Sequence, residues 1–493
     1  CDIVETGIAY TSLDEALTAV QSGETIRLLK NIENGGIVIE NKSVTFDLNG
    51  RELTVKNEEQ PSESEYGAGL YVKGNATVGL SGEGEFNAIG TCYGVYAECG
   101  ENETDAVTVT VTNATGYDYA GVESYGATVT VKGNAKVGYK EGTGGYGVTA
   151  TGENAVVTVD GNISAVGTGI FGAGADSGAT IDVKGYVTAD GIGATGIEAL
   201  YCEKITVEGD VTVSGHDSVG IVASEGSEVT VNGNIRSDVT GVRIPSREEA
   251  SGALSNITVD GVIVAQEYIN IGDTVFTVPD GQLDSKTKAG YRIYSDGSLG
   301  AVFVAEFAGG SGSPEDPYLV AHADQLYSVR NHLDKHFLQT ANIDLGGYST
   351  GKGWDPVGRS DTPFTGAFNG GGDEEGYTIS DLLINTSDLI PVGLFGVVGK
   401  GAEIRNLRLE SVDVTGNDFA GGLAGHSYGL IAGSYVTGTV TGDDFVGGLV
   451  GYNPGEITAS YASGTVTGSL NDVGGMVGYN SGKITGSYAS GTV

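Results

Sequence analysis

Short runs of alternating β-branched and polar residues, each closed by Gly and often Asn, recur between residues 129 and 262. They read VTVKGN (129–134), VTVDGN (157–162), IDVKGY (181–186), ITVEGD (205–210), VTVNGN (229–234) and ITVDGV (257–262). The turn glycines Gly133, Gly161, Gly185, Gly209, Gly233 and Gly261 are 28, 24, 24, 24 and 28 residues apart. A second mark, Gly followed by an aliphatic residue, runs in phase at Gly69, Gly94, Gly121, Gly147, Gly169, Gly196, Gly220 and Gly241. Alternation punctuated by Gly and Asn predicts short strands and tight turns. No helical stripe is long enough for a strand–helix–strand crossover. A repeat near 24 residues fits one coil of a parallel β-helix with three strands and three turns. Inward Val and Ile would stack from coil to coil. Thr130, Thr158, Asp182, Thr206, Thr230 and Thr258 would face outward. The residues before the turn glycines, Lys132, Asp160, Lys184, Glu208, Asn232 and Asp260, would form an outer ladder with opposite charges facing each other along much of it.

A solenoid end exposes its core and needs a cap. The run TSLDEALTAVQ (11–21) predicts a short amphipathic helix with Thr11 or Ser12 as N-cap, and AHADQLYSVRNHLDKHF (321–337) predicts a second. The plan of cap helix, first strands and coils is therefore written twice. The expected organisation is a β-helix domain at 1–307, closed by hairpins in 273–304, a Gly/Ser/Pro linker at 308–317 and a second β-helix domain at 318–493. The fold class is all-β: two tandem right-handed parallel β-helices, each with a short N-terminal capping helix.

The second domain contains GGLAGHSYGLIAGSYVTGTVTG (421–442), GGLVGYNPGEITASYASGTVTG (447–468) and GGMVGYNSGKITGSYASGTV (474–493), with a degenerate copy at GLFG (393–396). These segments resemble GLUG repeats, and residues 310–493 follow the order of motifs that leads into such repeats. The first half resembles, more loosely, pectate-lyase-like β-helix modules of adhesins. The resemblance implies a secreted or wall-attached bacterial surface protein in which the repeats are not the catalytic part. The third repeat breaks off at Val493 where the others continue, and the chain opens on Cys1 rather than Met with no signal peptide in view. The native protein is therefore expected to continue.

The charge narrows the partners. With 64 acidic and 25 basic residues the net charge is −39, which opposes nucleic acid and anionic membranes. No stretch approaches the roughly 20 apolar residues of a membrane span, so membrane insertion is not expected. Host or cell-surface glycans or proteins, and self-association, are the partners left. Cys1, Cys92, Cys99 and Cys202 lack metal-binding spacing. Four coils separate Cys99 from Cys202, about 19 Å at the 4.8 Å strand spacing, so these two cannot pair. Cys92 and Cys99 share one coil, and their pairing stays open.

The carboxylate sets of β-helical polysaccharide lyases and hydrolases are missing, so no catalytic residue is assigned and the chain reads as non-enzymatic. His332 and His336 have i, i+4 spacing on the second cap helix but lack a Glu and a third ligand. No cofactor is expected. Calcium is the one ion the turn carboxylates could take, at Asp373, Glu374 and Glu375 or at Asp443 and Asp444. Tyrosines recur in register at Tyr435, Tyr461 and Tyr488, and at Tyr452 and Tyr479. Such ladders stabilise solenoids, and an exposed one would also offer ring surface to sugars. The functional expectation is a non-catalytic extracellular scaffold or adhesin. The alternatives are a polysaccharide-binding or polysaccharide-degrading β-helix, and a structural filament or surface-layer subunit.

Overall fold

The computed structural model describes residues 1–58, 67–100, 105–246, 253–277, 282–283, 290–349, 351–371, 376–386 and 391–493, with backbone alone at 139–143 and 282–283. The chain forms two compact units, Cys1–Ala305 and Glu306–Val493. Each is a parallel β-helix. Among the described residues no helix is long and apolar enough to cross a membrane.

In the first unit the coils lay strands along three faces, with Ala135–Thr151 and Ile163–Asp176 each running over two of them. On the first face Val107–Val111, Thr128–Val131, Val156–Val159, Thr180–Val183, Lys204–Val207, Glu228–Val231 and Ser255–Val259 pair in parallel and in register. Register fixes which side chains are buried, because a one-residue slip would turn every valine outward. Val109, Val129, Val157, Ile181, Ile205, Val229 and Ile257 thus form one buried column, and Val111, Val131, Val159, Val183, Val207, Val231 and Val259 a second. Each such side chain contributes about 1.5–3 kcal/mol when taken out of water.

The turns are held as tightly as the strands. The N–H of Gly161 donates to Gly133 O (2.9 Å), Gly185 to Gly161 O (3.0 Å) and Gly209 to Gly185 O (2.9 Å). A side chain does not fit: a Cβ on Gly161 or Gly185 would lie 2.4 Å from the preceding glycine's carbonyl oxygen. Where Asn or Asp follows the glycine, its side chain adds a brace. Asn134 Oδ1 accepts from Asn162 N–H (2.9 Å), Asn162 Oδ1 from Tyr186 N–H (3.0 Å) and Asp210 Oδ1 from Asn234 N–H (2.8 Å). The outer charge ladder is shorter than the sequence suggests. Lys184 bridges to Glu208 (2.9 Å) and to Asp182 (3.0 Å), but Lys132 and Asp160 form no ion pair among the described residues. Both sit exposed, where water screens such pairs to little value.

A short helix lies at one end of the first unit and an antiparallel pair of strands at the other. Helix α1 (Leu13–Ala19) is capped by Ser12, whose hydroxyl accepts from Glu15 N–H (3.2 Å), and it buries Leu13 and Ala16. At the far end Tyr291–Ser295 returns antiparallel to Gly300–Ala305.

The second unit departs from expectation at its cap. Helix α2 covers only Ala323–Ser328, followed by one 3₁₀ turn at Val329–Asn331. His336 and Phe337, the last two residues of the helix expected from the sequence, instead open the strand His336–Gln339, which pairs with Tyr318–Val320 and Ala367–Asn369. The alternation of that strand buries Phe337, whose ring stacks on Phe368, so tertiary packing overrides the helical pattern. Residues 308–317 close into a turn within this unit, with Ala308 N–H on Leu319 O (3.0 Å) and Leu319 N–H on Gly309 O (2.9 Å).

Its coils stack Glu403–Arg405, Leu430–Ala432, Glu456–Thr458 and Lys483–Thr485 on one face, and Arg408–Thr415, Tyr435–Gly442, Tyr461–Gly468 and Tyr488–Thr492 on another. A serine ladder joins them at the corner, buried at Ser434 and Ser460. Ser434 Oγ accepts from Leu407 N–H (3.1 Å), Ser460 Oγ from Ser434 N–H (3.1 Å) and Ser487 Oγ from Ser460 N–H (3.0 Å). The preceding corner residue has positive φ in each coil: Gly433 (61°), Ala459 (47°) and Gly486 (58°).

Candidate functional site

Reactive side chains gather most densely on the third face of the first unit. There Ala68–Gly74, Tyr93–Cys99 and Ala120–Tyr125 pair in parallel, followed by the second halves of Ala135–Thr151 and Ile163–Asp176 and then by Thr195–Leu200. Register sets Tyr71, Tyr96 and Glu123 in one outward column, and Lys73, Glu98 and Tyr125 in the next. Glu98 accepts hydrogen bonds from the hydroxyls of Tyr71 and Tyr96 (3.4 Å from the latter). Glu123 accepts from Tyr93 and Tyr125. Glu198 accepts from Tyr146 (2.7 Å), whose ring crosses the intervening coil over Gly174. A Cβ at Gly174 would lie 2.4 Å from that ring, so the glycine makes the crossing possible. The Tyr146 ring also stacks on Phe171 at 4.7 Å.

Burial pushes the carboxyls of Glu123 and Glu198 up, and the tyrosine hydrogen bonds oppose the rise. Burial also raises the phenols of Tyr93, Tyr125 and Tyr146, and the neighbouring carboxylates raise them further. Among the described residues none of Glu98, Glu123 and Glu198 forms an ion pair with Lys or Arg. The nearby Lys73 pairs instead with Glu40 (3.5 Å). This arrangement fixes aromatic rings and supplies hydrogen-bond acceptors; its proton-transfer groups are already engaged with tyrosine.

The sequence alone did not single out these residues, yet a signal was present. Tyr71, Tyr96, Glu123 and Glu198 each stand two residues after an in-phase glycine, at Gly69, Gly94, Gly121 and Gly196. Aligning the coils on that mark places all four in one column.

The residues the sequence did single out lie mostly in the second unit. Tyr435, Tyr461 and Tyr488 form a continuous stack, with centroids 4.8 and 5.3 Å apart and planes inclined by 9° and 5°. At that spacing the inner ring faces cover one another, so no pyranose fits between them. Glu410 accepts the Tyr435 hydroxyl, and burial followed by that bond pushes the phenol up to about 12. Tyr452 and Tyr479 are tilted neighbours at 5.8 Å. One coil earlier the same column holds His426, whose ring meets Tyr452 edge-on at 5.4 Å. Burial lowers the imidazole to about 4, and its Nε2 has no hydrogen-bond partner. Phe419 and Phe445, at φ 58° and 56°, stack beside this column at 4.6 Å.

Asp443 accepts from the Ser469 hydroxyl and Asp444 from Phe445 N–H (3.0 Å). Asp373, Glu374 and Glu375 lie outside the described residues. Among the described residues no group of three or more His, Cys, Asp or Glu could hold a metal ion. The two histidines of the cap do not share a helix face. His332 ends the 3₁₀ turn and meets the buried Glu306 (2.8 Å), whereas His336 opens a strand. All four cysteines are free. Cys92 and Cys99 stand at opposite ends of the strand Tyr93–Cys99, some 20 Å apart at the rise of an extended chain, so they cannot pair.

A parallel β-helix with repeating Gly-rich coils is thereby established. Residues 446–467 match the GLUG motif. The chain is 40% identical over 148 residues to a protein of Evansella cellulosilytica named "Putative Gly-rich membrane protein", covering 29% of this chain and 16% of that protein. It is 34% identical over 139 residues to "Halomucin" of Haloquadratum walsbyi, covering 27% of this chain and 2% of that protein. These matches span a small part of either relative.

Proposed function

We propose that the chain is part of an extracellular bacterial surface protein and serves as a rigid, non-catalytic spacer or adhesive scaffold. One observation carries this reading: the polar side chains that recur at the turns, at the corners and on the tyrosine face are engaged with neighbouring residues of the stack. Asparagines brace the turns of the first unit, serines the corners of the second, and each prominent carboxylate of the tyrosine face is held by a phenol. A catalytic cleft would need at least one acid or base free to meet a substrate. The GLUG motif and the relative named as a membrane protein support placement at the cell surface.

A second reading, glycan binding, is favoured by the same face. Tyr119 and Tyr125 are about half exposed, and Tyr119 stacks on Tyr93, whose hydroxyl is fixed by Glu123. Rings held in this way lose little entropy on binding. A glycan array probed with and without calcium separates the two. Binding abolished by Tyr119→Ala and Tyr125→Ala supports the adhesive reading. Absence of binding supports the spacer, and calcium-dependent binding that survives both substitutions would place the site elsewhere.

A further inference from the structure

We infer that the Tyr435–Tyr461–Tyr488 stack is an oxidative cross-linking site at which adjacent coils become joined by carbon–carbon bonds between tyrosine rings. Three features carry this. The register is unbroken across the strands, with Tyr435 opposite Tyr461 and Tyr461 opposite Tyr488. The ring planes are nearly parallel, at 9° and 5°, and overlap at 4.8 and 5.3 Å, which sets equivalent ring carbons face to face. The Tyr435 hydroxyl already donates to Glu410, a carboxylate placed to take the phenol's proton as its electron leaves.

Other tyrosine pairs fit less well. Tyr71 and Tyr96 are buried and meet edge to face at 75°. Tyr452 and Tyr479 are inclined by 34° at 5.8 Å. The nearest rivals are Tyr327 and Tyr348, at 5.4 Å and 22°, and Tyr93 and Tyr119, at 5.5 Å and 19°, but neither pair is held in strand register: Tyr327 lies in helix α2 and Tyr348 in a 3₁₀ turn, and Tyr93 pairs in register with Ala120.

The oxidant is a peroxide acting through a heme peroxidase. Each phenol loses one electron and one proton, and the two phenoxyl radicals couple at the carbons ortho to their oxygens. The two ring hydrogens at the new bond then shift to the oxygens, restoring both aromatic rings. Two hydrogens leave in total, and one hydrogen peroxide is reduced to two waters. The product is a thiol-resistant staple between strands 26 or 27 residues apart, in a chain whose four cysteines form no disulfide. Parallel coils that otherwise hold together by hydrogen bonds would gain a covalent seam.

The test treats the whole chain, at a concentration that keeps it monomeric, with hydrogen peroxide and a heme peroxidase. Cross-linked peptides of the monomer fraction are then mapped by mass spectrometry. The expected result is Tyr435–Tyr461 and Tyr461–Tyr488 links in excess of every other pair, with a raised melting temperature of the second unit. Tyr461→Phe, which keeps the stacking surface, should abolish both links. Tyr435→Phe should remove only the first. Links confined to dimers, links dominated by Tyr93–Tyr119 or Tyr327–Tyr348, or a pattern unchanged by Tyr461→Phe would each overturn the inference.

Discussion

Replacing Gly185 by alanine tests how the turns of the first unit hold its coils together. Gly185 sits in the middle of the stack, its N–H on Gly161 O and its own carbonyl receiving Gly209 N–H. A methyl there would lie 2.4 Å from Gly161 O and 2.2 Å from Asn162 Oδ1, well inside the 3.0 Å that real Cβ contacts respect. Relief requires the coils to part or Asn162 to swing away from Tyr186 N–H, which it holds at 3.0 Å. Overpacking of this kind costs about 1–3 kcal/mol, and each weakened hydrogen bond adds about 1 kcal/mol. The total expected is therefore roughly 2–4 kcal/mol. Gly35 is the control: it lies in a strand of the same unit, and a Cβ there meets nothing within 4 Å. Gly35→Ala should be neutral or stabilising by about 0.5–1 kcal/mol, because alanine loses less backbone freedom on folding. Urea unfolding followed by circular dichroism gives both values, as midpoint shifts at unchanged slope. Equal midpoints for the two variants would refute the close-approach argument.

Three further substitutions probe the second unit. His426 is held near 4 by burial, so below its ordinary value the unfolded chain takes up a proton that the folded chain refuses. Stability should therefore fall as pH drops from about 6.5 toward 4, by about 1–3 kcal/mol after allowance for partial exposure. His426→Tyr, matching Tyr452 and Tyr479 in its column, should flatten that melting profile; an unchanged slope would refute the assignment. Ala459 takes the left-handed conformation at which the neighbouring coils carry Gly433 and Gly486. Ala459→Gly should raise thermal stability by about 0.5–1 kcal/mol, the strain relieved less glycine's entropy, and a lower melting temperature would contradict this. Ser460→Ala leaves the buried Ser434 N–H without its acceptor and should cost about 1–3 kcal/mol, whereas a loss within error would show that the serine ladder is dispensable.

The repeating strands were legible because their inward positions are almost uniformly Val and Ile at a fixed period, and register turns that period into buried columns. The turn glycines were legible as spacing, but the carbonyl that excludes their side chain belongs to another coil and carries no local mark. The asparagines after them looked like ordinary turn residues; only stacking makes each the acceptor for the next coil. The second cap helix was overextended because Leu326, Val329, Leu333 and Phe337 fit a helical stripe, while strand pairing and the stack on Phe368 decide the state of Phe337. The tyrosine–glutamate face escaped notice because its members change type from coil to coil: Tyr71 and Tyr96 give way to Glu123 and Glu198 in one column. The tyrosine stack of the second unit repeats one residue type at one position, and its register was visible at once.

The most direct test of the non-catalytic scaffold is turnover. The whole chain, with and without calcium, is incubated with a panel of neutral and acidic polysaccharides, and released ends and unsaturated products are read by mass spectrometry. The account predicts no product above a heat-treated control. Product formation that disappears in Glu123→Gln, a variant whose amide can still accept from Tyr93 and Tyr125, would contradict it and make the tyrosine–glutamate face an active site.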